Sequence, residues 1–263
     1  MRLVDAHCHA ALNWYEPVEL LIAQMDLNDV EFAVLVQTNG MLDLDYQFAA
    51  VEKHSDRLVG VSAVRADSDD PASDLQRLKD RGAKGVRFSA RGTTAADLEL
   101  WQLSESLGLS ISVRGDAVDF AATEFRDLAK QVTGIPITLE HLASNIAKDP
   151  KQLPDDVQER ILQLASLPNV YVKFSGLGEI VDRMELIGEG SPFVDPAPPR
   201  LRAYYDAFGS DRMMWSSNHP LVSAAEGYAN SLRYPLEYFS DIPEDDRAAL
   251  FGDTAVKIYG FGE

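Results

Sequence analysis

The sequence predicts an α/β fold, a single-domain (β/α)₈ TIM barrel over residues 1–263, and three observations support that prediction. Strand-like and helix-like segments alternate along the whole chain, whose length suits a barrel of about 250 residues. Strand-like segments begin 26 residues apart, at Phe32, Leu58, Lys84, Ser110 and Pro136. These segments are continuous apolar runs, as in parallel sheets covered by helices. A doubly wound open sheet is the alternative, but no G-x-G-x-x-G turn follows the first strand.

Eight strands are predicted in chain order, and residues typical of buried strands predominate in them. The first is a short apolar run that starts at Leu3 and ends in His7-Cys8-His9. The others are expected at Phe32–Val36, Leu58–Val64, Gly85–Phe88, Ser110–Val113, Ile135–Leu139, Val170–Phe174 and Met213–Trp215.

Helix-like segments occupy the intervals between the strands. The first is Pro17–Leu27, where proline suits the first helical position and apolar residues recur at helical spacing. Further helices are predicted at Asp45–His54, Ala72–Arg81, Ala95–Leu107 and Phe120–Gln131. Two polar loops, Ser144–Asp156 and Gly176–Pro199, interrupt the regular period after strands six and seven. They are either a lid over the barrel mouth or plain surface connections.

Composition and charge narrow the partners that the protein can have. The net charge of −18 gives a negative surface with no basic patch, which argues against nucleic acid and anionic lipid. No apolar run approaches the roughly 18 residues that a membrane span needs. We therefore expect a small-molecule substrate, no nucleic-acid or membrane partner, and leave a homo-oligomer open.

The lone cysteine and the N-terminus indicate a cytoplasmic protein. Cys8 cannot form an intrachain disulfide, which fits a reducing compartment. It lies between two histidines of one strand and should face away from them, packed under the barrel helices. No charged segment followed by an apolar stretch precedes the first strand, as an export signal would require.

Polar side chains gather at the C-terminal ends of the predicted strands, the face on which barrels carry their chemistry. His7 and His9 stand two residues apart in a strand, so they should project together and could hold a metal or a substrate oxygen. The full set is Asp5, His7, His9, Gln37, Arg87, Arg114, His141, Lys173, Ser175, Ser217, Asn218, His219 and Pro220. We interpret this set as an active site.

Three arginines indicate an anionic ligand. Arg87, Arg91 and Arg114 are predicted near one mouth of a strongly acidic protein, and a guanidinium binds a carboxylate through two parallel hydrogen bonds. The alternative is that each arginine pairs with a neighbouring acid, such as Asp116 or Glu140, and is structural.

Five motifs together resemble a known family. They are Asp5-Ala6-His7-Cys8-His9, Gly85-Val86-Arg87-Phe88 with Arg91, Leu139-Glu140-His141, Val172-Lys173-Phe174-Ser175-Gly176 and Trp215-Ser216-Ser217-Asn218-His219-Pro220. In order and spacing they resemble the amidohydrolase superfamily, in particular the amidohydrolase-related branch that includes 2-pyrone-4,6-dicarboxylate lactonase and sugar-lactone hydrolases. Phe251–Ala255 with Ile258–Gly260 is similar to the family's closing helix. The resemblance implies a hydrolase of a small anionic lactone, with a place in aromatic or sugar catabolism.

The chain departs from the family pattern at two places. Hydrolytic members carry an aspartate at the end of strand eight, where it takes a proton from the attacking water, and this chain has Asn218. Metal-dependent members carry a metal ligand at the ends of strands four and five, whereas Arg87 and Arg114 cannot bind a metal. The chain is therefore more similar to the metal-free lactonases, and we expect no cofactor. The alternative is a zinc-dependent hydrolase or decarboxylase with a three-histidine site.

The resemblance also implies roles for individual residues. The predicted catalytic residues are His7, His9, His141 and Asn218, with the histidines donating to the carbonyl oxygen as it becomes an oxyanion. The predicted substrate-binding residues are Gln37, Arg87, Arg91, Arg114, Lys173, Ser175 and His219. Lys173 either holds a substrate oxygen or pairs with Glu140. The same three histidines are the ligands of the alternative zinc site.

Asn218 leaves the general base undecided. Either the substitution inactivates the site, or another residue, His219, His141 or Asp5, takes the proton. An inactivating substitution predicts that Asn218→Asp raises hydrolysis by at least about 10². If the substitution inactivates the site, an alternative function is the binding of a carboxylate without catalysis.

Overall fold

The described residues form eight parallel strands in one sheet, ordered β1 to β8 as in the chain. The strands are β1 (Val4–Cys8), β2 (Phe32–Val36), β3 (Leu58–Ala63), β4 (Gly85–Ser89), β5 (Ser110–Arg114), β6 (Ile137–Leu139), β7 (Val170–Phe174) and β8 (Met213–Trp215). The computed structural model describes residues 1–38, 44–64, 68–93, 95–186, 188, 192–194 and 199–262. At the C-terminal ends of the strands, which form the mouth of the barrel, the Asn218 backbone N–H donates to the His7 carbonyl at 2.9 Å. This bond connects the end of β1 to the residues that follow β8. The predicted barrel is confirmed.

Helices separate the strands and cover the outside of the sheet. They are α1 (Val18–Leu27), α2 (Asp45–Lys53), α3 (Pro71–Asp80), α4 (Ala95–Ser106), α5 (Ala117–Phe120), α6 (Thr123–Ala129), α7 (Asp155–Leu162), α8 (Pro199–Phe208), α9 (Tyr228–Tyr238), α10 (Glu244–Ala248) and α11 (Thr254–Tyr259). The predicted helix Phe120–Gln131 is interrupted at Ala122, whose backbone is extended. The break lets Phe120 and Phe125 meet edge to face in the core. Among the described residues, no helix has the length and apolar composition to cross a membrane.

The core of the barrel consists of two clusters of buried apolar side chains. The larger cluster lies between strands and helices and includes Cys8, whose thiol donates to the Val34 carbonyl at 3.2 Å. The smaller cluster gathers residues such as Val4 and Ala6 of β1 with Met214 and, from α11, Tyr259. Burial of these side chains supplies the main favourable term in folding. The packed core also provides a rigid scaffold for the polar residues at the strand ends.

A register shift in β1 separates Asp5 from the two histidines that follow it. The pairing of β1 with β2 shifts between Asp5 and Cys8, so strict two-residue alternation does not hold along this strand. His7 and His9 do project together, with ring centroids 4.7 Å apart. Asp5 instead contacts Ser217 and Tyr228. Asp5, part of the predicted active-site set, therefore lies with Ser217 and Tyr228 rather than with the two histidine rings.

Candidate active site

A cavity of about 260 Å³ opens at the C-terminal ends of the strands. Six predicted site residues line it: His9, Arg87, Arg91, Arg114, His141 and Asn218. Part of the loop after β6, residues 144–148, lines it as well. The loop after β7 was also predicted as a lid, but its residues 187, 189–191 and 195–198 lie outside the described residues. The cavity thus brings together arginines and histidines from β1, β4, β5 and β6.

His9 and His7 form a buried pair whose protonation follows from their contacts. His9 Nδ1 lies 2.7 Å from the Val36 carbonyl, which can only accept, so Nδ1 carries the hydrogen and Nε2 is bare. His7 Nε2 lies 3.1 Å from that bare Nε2 and donates to it. Burial lowers the pKa of His9 to about 3 and holds the pKa of His7 well below its usual range. Both rings are therefore neutral at neutral pH.

His141 has a tautomer that its neighbours determine. Ser216 Oγ donates to the Phe174 carbonyl, so it accepts from Ser175 Oγ at 3.1 Å, and Ser175 then has no hydrogen left for His141. His141 Nδ1 lies 3.3 Å from Ser175 Oγ and 3.1 Å from Glu179 Oε2. Both partners accept, so Nδ1 carries the hydrogen and Nε2 is bare. His141 therefore presents a basic nitrogen without a hydrogen-bond partner among the described residues.

Glu179 is a site residue that sequence reasoning missed. It ends a short 3₁₀ turn, Leu177–Glu179, that follows β7 inside the predicted lid loop. Its Oε2 accepts from His141 and its Oε1 accepts from Asn218 Nδ2 at 2.7 Å. Asn218 adopts a left-handed backbone conformation with φ of 55°, which asparagine tolerates better than most residues. Glu179 thus joins the ends of β6 and β8.

Each of the three histidines already uses its ring hydrogen within the site, so none has a free N–H in its neutral form. The ring hydrogen of His7 is used by His9, that of His9 by a carbonyl, and that of His141 by Glu179. The expectation that these rings donate to an oxyanion therefore does not fit the neutral cluster. Donors at the cavity come from the arginines instead.

Arg87 is paired with Glu140, which was the structural alternative. Arg87 Nε donates to Glu140 Oε1 at 2.9 Å, Nη2 to Oε2 at 2.5 Å and Nη1 to the Gln37 carbonyl at 2.8 Å. Burial would raise the pKa of Glu140, but the Arg87 guanidinium lowers it to about 2. Of the five guanidinium hydrogens, one on each Nη remains unused. Arg87 can therefore stay paired and still donate into the cavity that it lines.

Unlike Arg87, the Arg91 and Arg114 side chains are not paired with an acid among the described residues. Both line the cavity, and neither guanidinium has a hydrogen bond or ion pair with the described residues. Asp116, the acid that the sequence offered as a partner, instead accepts from Asn145 Nδ2 at 2.7 Å. Burial and the nearby Arg87 lower the pKa of Arg114. These two guanidinium groups are available to an anion from solution.

Lys173 lies below the cavity rather than in its lining. Its Nζ donates to Ser112 Oγ at 3.3 Å and stands 5.5 Å from the centroid of the Tyr259 ring. The side chain is fully buried and forms no ion pair with Glu140 among the described residues. Its positive charge contributes to the lowered pKa of both His7 and Glu140. Neither predicted role of Lys173 matches this position.

Gln37, Ser175 and His219 support the site without lining the cavity. Gln37 Oε1 accepts from the Ala63 amide at 2.6 Å, and Ser175 belongs to the network under His141. The buried His219 ring has Nε2 3.4 Å from Glu16 Oε2. The structure therefore gives no support to direct substrate contact by these three residues.

Asp5 is occupied by four donors and does not face the cavity. The Ser217 amide donates to Oδ1 at 2.8 Å, and the hydroxyls of Ser217 and Tyr228 donate to Oδ2 at 2.6 and 3.0 Å. The His7 amide adds a fourth bond at 3.2 Å. Asp5 therefore ties β1 to the end of β8 and is not placed to act as a general base.

The potential metal ligands that the structure brings together at the mouth differ from the three histidines of the zinc alternative. In the part of the chain that the structure describes, the potential ligands whose atoms lie within 4.8 Å of one another are His7, Glu140 and His141. His9 is not in this group, which differs from the three-histidine set of the zinc alternative. Both Glu140 oxygens already accept from Arg87, whose guanidinium would repel a cation.

Comparisons with known proteins agree with the observed fold. The sequence profile of the amidohydrolase family matches residues 4–261. A 4-sulfomuconolactone hydrolase from Rhizobium radiobacter is 27% identical over 230 residues, 83% of this chain and 70% of that protein.

Two solved structures share the barrel. One is a probable 2-pyrone-4,6-dicarboxylic acid hydrolase from Acinetobacter baumannii with citric acid bound, with a TM-score of 0.74 and 17% identity over 99% of this chain and 100% of that one. The other is an amidohydrolase from Burkholderia multivorans with bound zinc, with a TM-score of 0.81 and 16% identity over 99% of both chains. At these identities the structures establish the fold alone.

Proposed function

The chain belongs to the amidohydrolase family, and from that membership we propose that it hydrolyses a small carboxylate-bearing lactone at the barrel mouth. The observation that carries the proposal is a pair of guanidinium groups, Arg91 and Arg114, that pair with no described residue and line a cavity that also holds a bare histidine nitrogen. A relative named 4-sulfomuconolactone hydrolase and a solved relative with bound citric acid support an anionic lactone as the substrate class.

The proposed reaction uses water and the groups already in place. Water attacks the lactone carbonyl, and His141 Nε2 accepts its proton while the unused N–H groups of Arg87 stabilise the oxyanion. The ring C–O bond then breaks, and the proton passes from His141 to the leaving oxygen. His7 and His9 form one wall as a neutral hydrogen-bonded pair.

A lactone screen tests the proposal directly. Purified protein is incubated with lactones that do or do not carry a carboxylate, and ring opening is followed by the acid that it releases. We expect hydrolysis of carboxylate-bearing lactones only. If these lactones bind but none is opened, the protein is a carboxylate-binding protein and the hydrolase proposal is wrong.

Replacing Arg114 with Met should weaken binding of the anionic substrate without unfolding the protein. Loss of a charge-assisted contact costs about 1.5 to 3 kcal/mol, which raises Kd or KM roughly 10- to 150-fold. Calorimetric titration with citrate and the KM of an anionic lactone both report the change. Arg160→Met, on α7 and outside the cavity lining, is the matched control and should change neither value. Unchanged citrate affinity in Arg114→Met would place the anion site elsewhere.

We further propose that hydrolysis needs no metal, because Glu140, one of the three candidate ligands, already accepts from Arg87 through both oxygens. Protein dialysed against a chelator should keep its kcat, and metal analysis should find zinc well below one equivalent per chain. Stoichiometric zinc whose removal abolishes activity and whose return restores it would replace this mechanism with the zinc-dependent one.

A further inference from the structure

Glu179 is bound on both carboxylate oxygens by residues from the ends of two strands. Asn218 Nδ2 donates to Oε1 at 2.7 Å and His141 Nδ1 donates to Oε2 at 3.1 Å. The side chains of His141 and Glu179 are only 12% and 11% exposed. Water therefore screens these contacts weakly, and the orientation of each group constrains the others.

The turn that carries Glu179 is held in place from outside the site. The Gly178 amide donates to Glu226 Oε1 at 3.1 Å, and Lys151 Nζ donates to the Gly178 carbonyl at 2.9 Å. At Gly176 a Cβ would lie 2.8 Å from the Ser231 Cβ, so the turn approaches α9 too closely for a side chain. These contacts do not involve a ligand. The position of Glu179 is thus part of the fold.

We infer that Glu179 is a positioning residue for the proposed hydrolysis, holding His141 as the Nδ1–H tautomer with Nε2 free to take the water's proton. This inference rests on the proposed function. The Glu179 carboxylate lies against Nδ1–H and would stabilise the imidazolium that forms when Nε2 accepts the proton. The pair thus supplies the basic group that an aspartate at position 218 would otherwise supply.

The same geometry assigns a role to Asn218. An aspartate at 218 would set a second carboxylate against Glu179 Oε1, at the place where the Asn218 amide now donates. Two carboxylates at that distance cannot both remain ionised without strong repulsion. Asn218 is therefore the donor that Glu179 requires, and Asn218→Asp should lower hydrolysis. This reverses the expectation drawn from the sequence, which was a gain.

One test needs no substrate and so stands apart from the proposed function. The ¹⁵N signals of the His141 ring should show a protonated Nδ1 and a bare Nε2 in the parent protein. Glu179→Gln keeps a carbonyl acceptor and should preserve this tautomer. Glu179→Leu leaves only the 3.3 Å contact to Ser175 Oγ and should raise the share of the Nε2–H tautomer. The His54 ring, at the end of α2, is the internal control. If Glu179→Leu leaves the His141 signals unchanged, the inference is wrong, whatever the protein hydrolyses.

A kinetic test uses the carboxylate–amide pair itself. Glu179→Gln and Asn218→Asp should each lower kcat on the hydrolysed lactone by about 10², with KM changed little. The double variant exchanges carboxylate and amide across one hydrogen bond, so it should be about tenfold faster than Asn218→Asp alone. An Asn218→Asp enzyme faster than the parent, or a double variant no faster than Asn218→Asp, would overturn the inference. If the parent protein opens no lactone, only the proposed function is wrong. The ¹⁵N signals of the His141 ring then test the inference on Glu179 by themselves.

Discussion

Replacing His141 with Gln is expected to lower kcat for lactone hydrolysis by about 10³, with KM changed only a few-fold. His141 is the only cavity-lining histidine with a bare nitrogen that no described residue contacts, because His9 Nε2 already accepts from His7. Glutamine keeps a similar length and hydrogen-bonding capacity, but it cannot accept a proton at neutral pH. Initial rates over a range of lactone concentrations separate kcat from KM.

The matched control for this change is His54→Gln. His54 follows α2 and does not line the cavity, so its replacement should leave both kinetic constants unchanged. Circular dichroism and thermal unfolding would show that both variants are folded. A His141→Gln enzyme with kcat within about threefold of the parent would remove His141 as the general base. The base would then have to be sought elsewhere at the mouth.

Replacing Glu140 with Leu is expected to lower the free energy of unfolding by about 3 to 5 kcal/mol. The change leaves the buried Arg87 guanidinium without its counterion, since Arg87 Nε and Nη2 both donate to Glu140. Urea unfolding of the single variant and of the double variant Arg87→Met/Glu140→Leu measures the effect. The double variant should recover much of the loss, because the buried Arg87 guanidinium is removed together with its counterion.

An exposed pair provides the control for that measurement. Arg233 and Glu237 on α9 lie 3.2 Å apart with side chains more than half exposed, so Glu237→Leu should cost at most about 1 kcal/mol. The Glu140 contribution should also depend on pH. Since Arg87 lowers the pKa of Glu140 from 4.5 to about 2, the stabilisation is complete above pH 4.5 and is lost as pH falls toward 2. Equal costs for Glu140→Leu and Glu237→Leu would contradict the assigned role of the buried pair.

Strand and helix positions could be predicted from the sequence because they depend on local patterns. The apolar runs Phe32–Val36 and Val170–Phe174 are strands with the predicted bounds. The strand predicted from Ile135 begins two residues later, at Ile137, because Pro136 has no N–H for the sheet. Pro17 precedes α1 with an extended backbone and does not form its first turn. These differences lie at element ends, where tertiary contacts outweigh local preference, whereas the predicted helix Phe120–Gln131 is broken internally at Ala122.

The identity of the polar residues at the barrel mouth was also accessible from sequence, since the C-terminal ends of parallel strands meet at one face. Which of these residues pair with one another could not be predicted from the sequence. Arg87 and Arg114 lie on adjacent strands and have the same chemistry, yet only Arg87 donates to Glu140. Arg87 lies level with Ser112, in the middle of β4, whereas Arg114 ends β5 two residues nearer the mouth. No spacing along the chain encodes which of the two reaches Glu140.

The sequence by itself determined the barrel, the mouth as the place of the site and most of the side chains that meet there, because hydrophobic periodicity and strand direction are local properties. Only the tertiary structure decided which groups are paired, which nitrogen of each histidine is bare and that Glu179 belongs to the site. Glu179 lies in a loop without periodicity, and its place depends on contacts from Lys151 and Glu226, segments far away in the chain. Hydrogen-bond direction and charge pairing depend on distances of a few ångströms between such segments, and those distances exist only after the chain has folded.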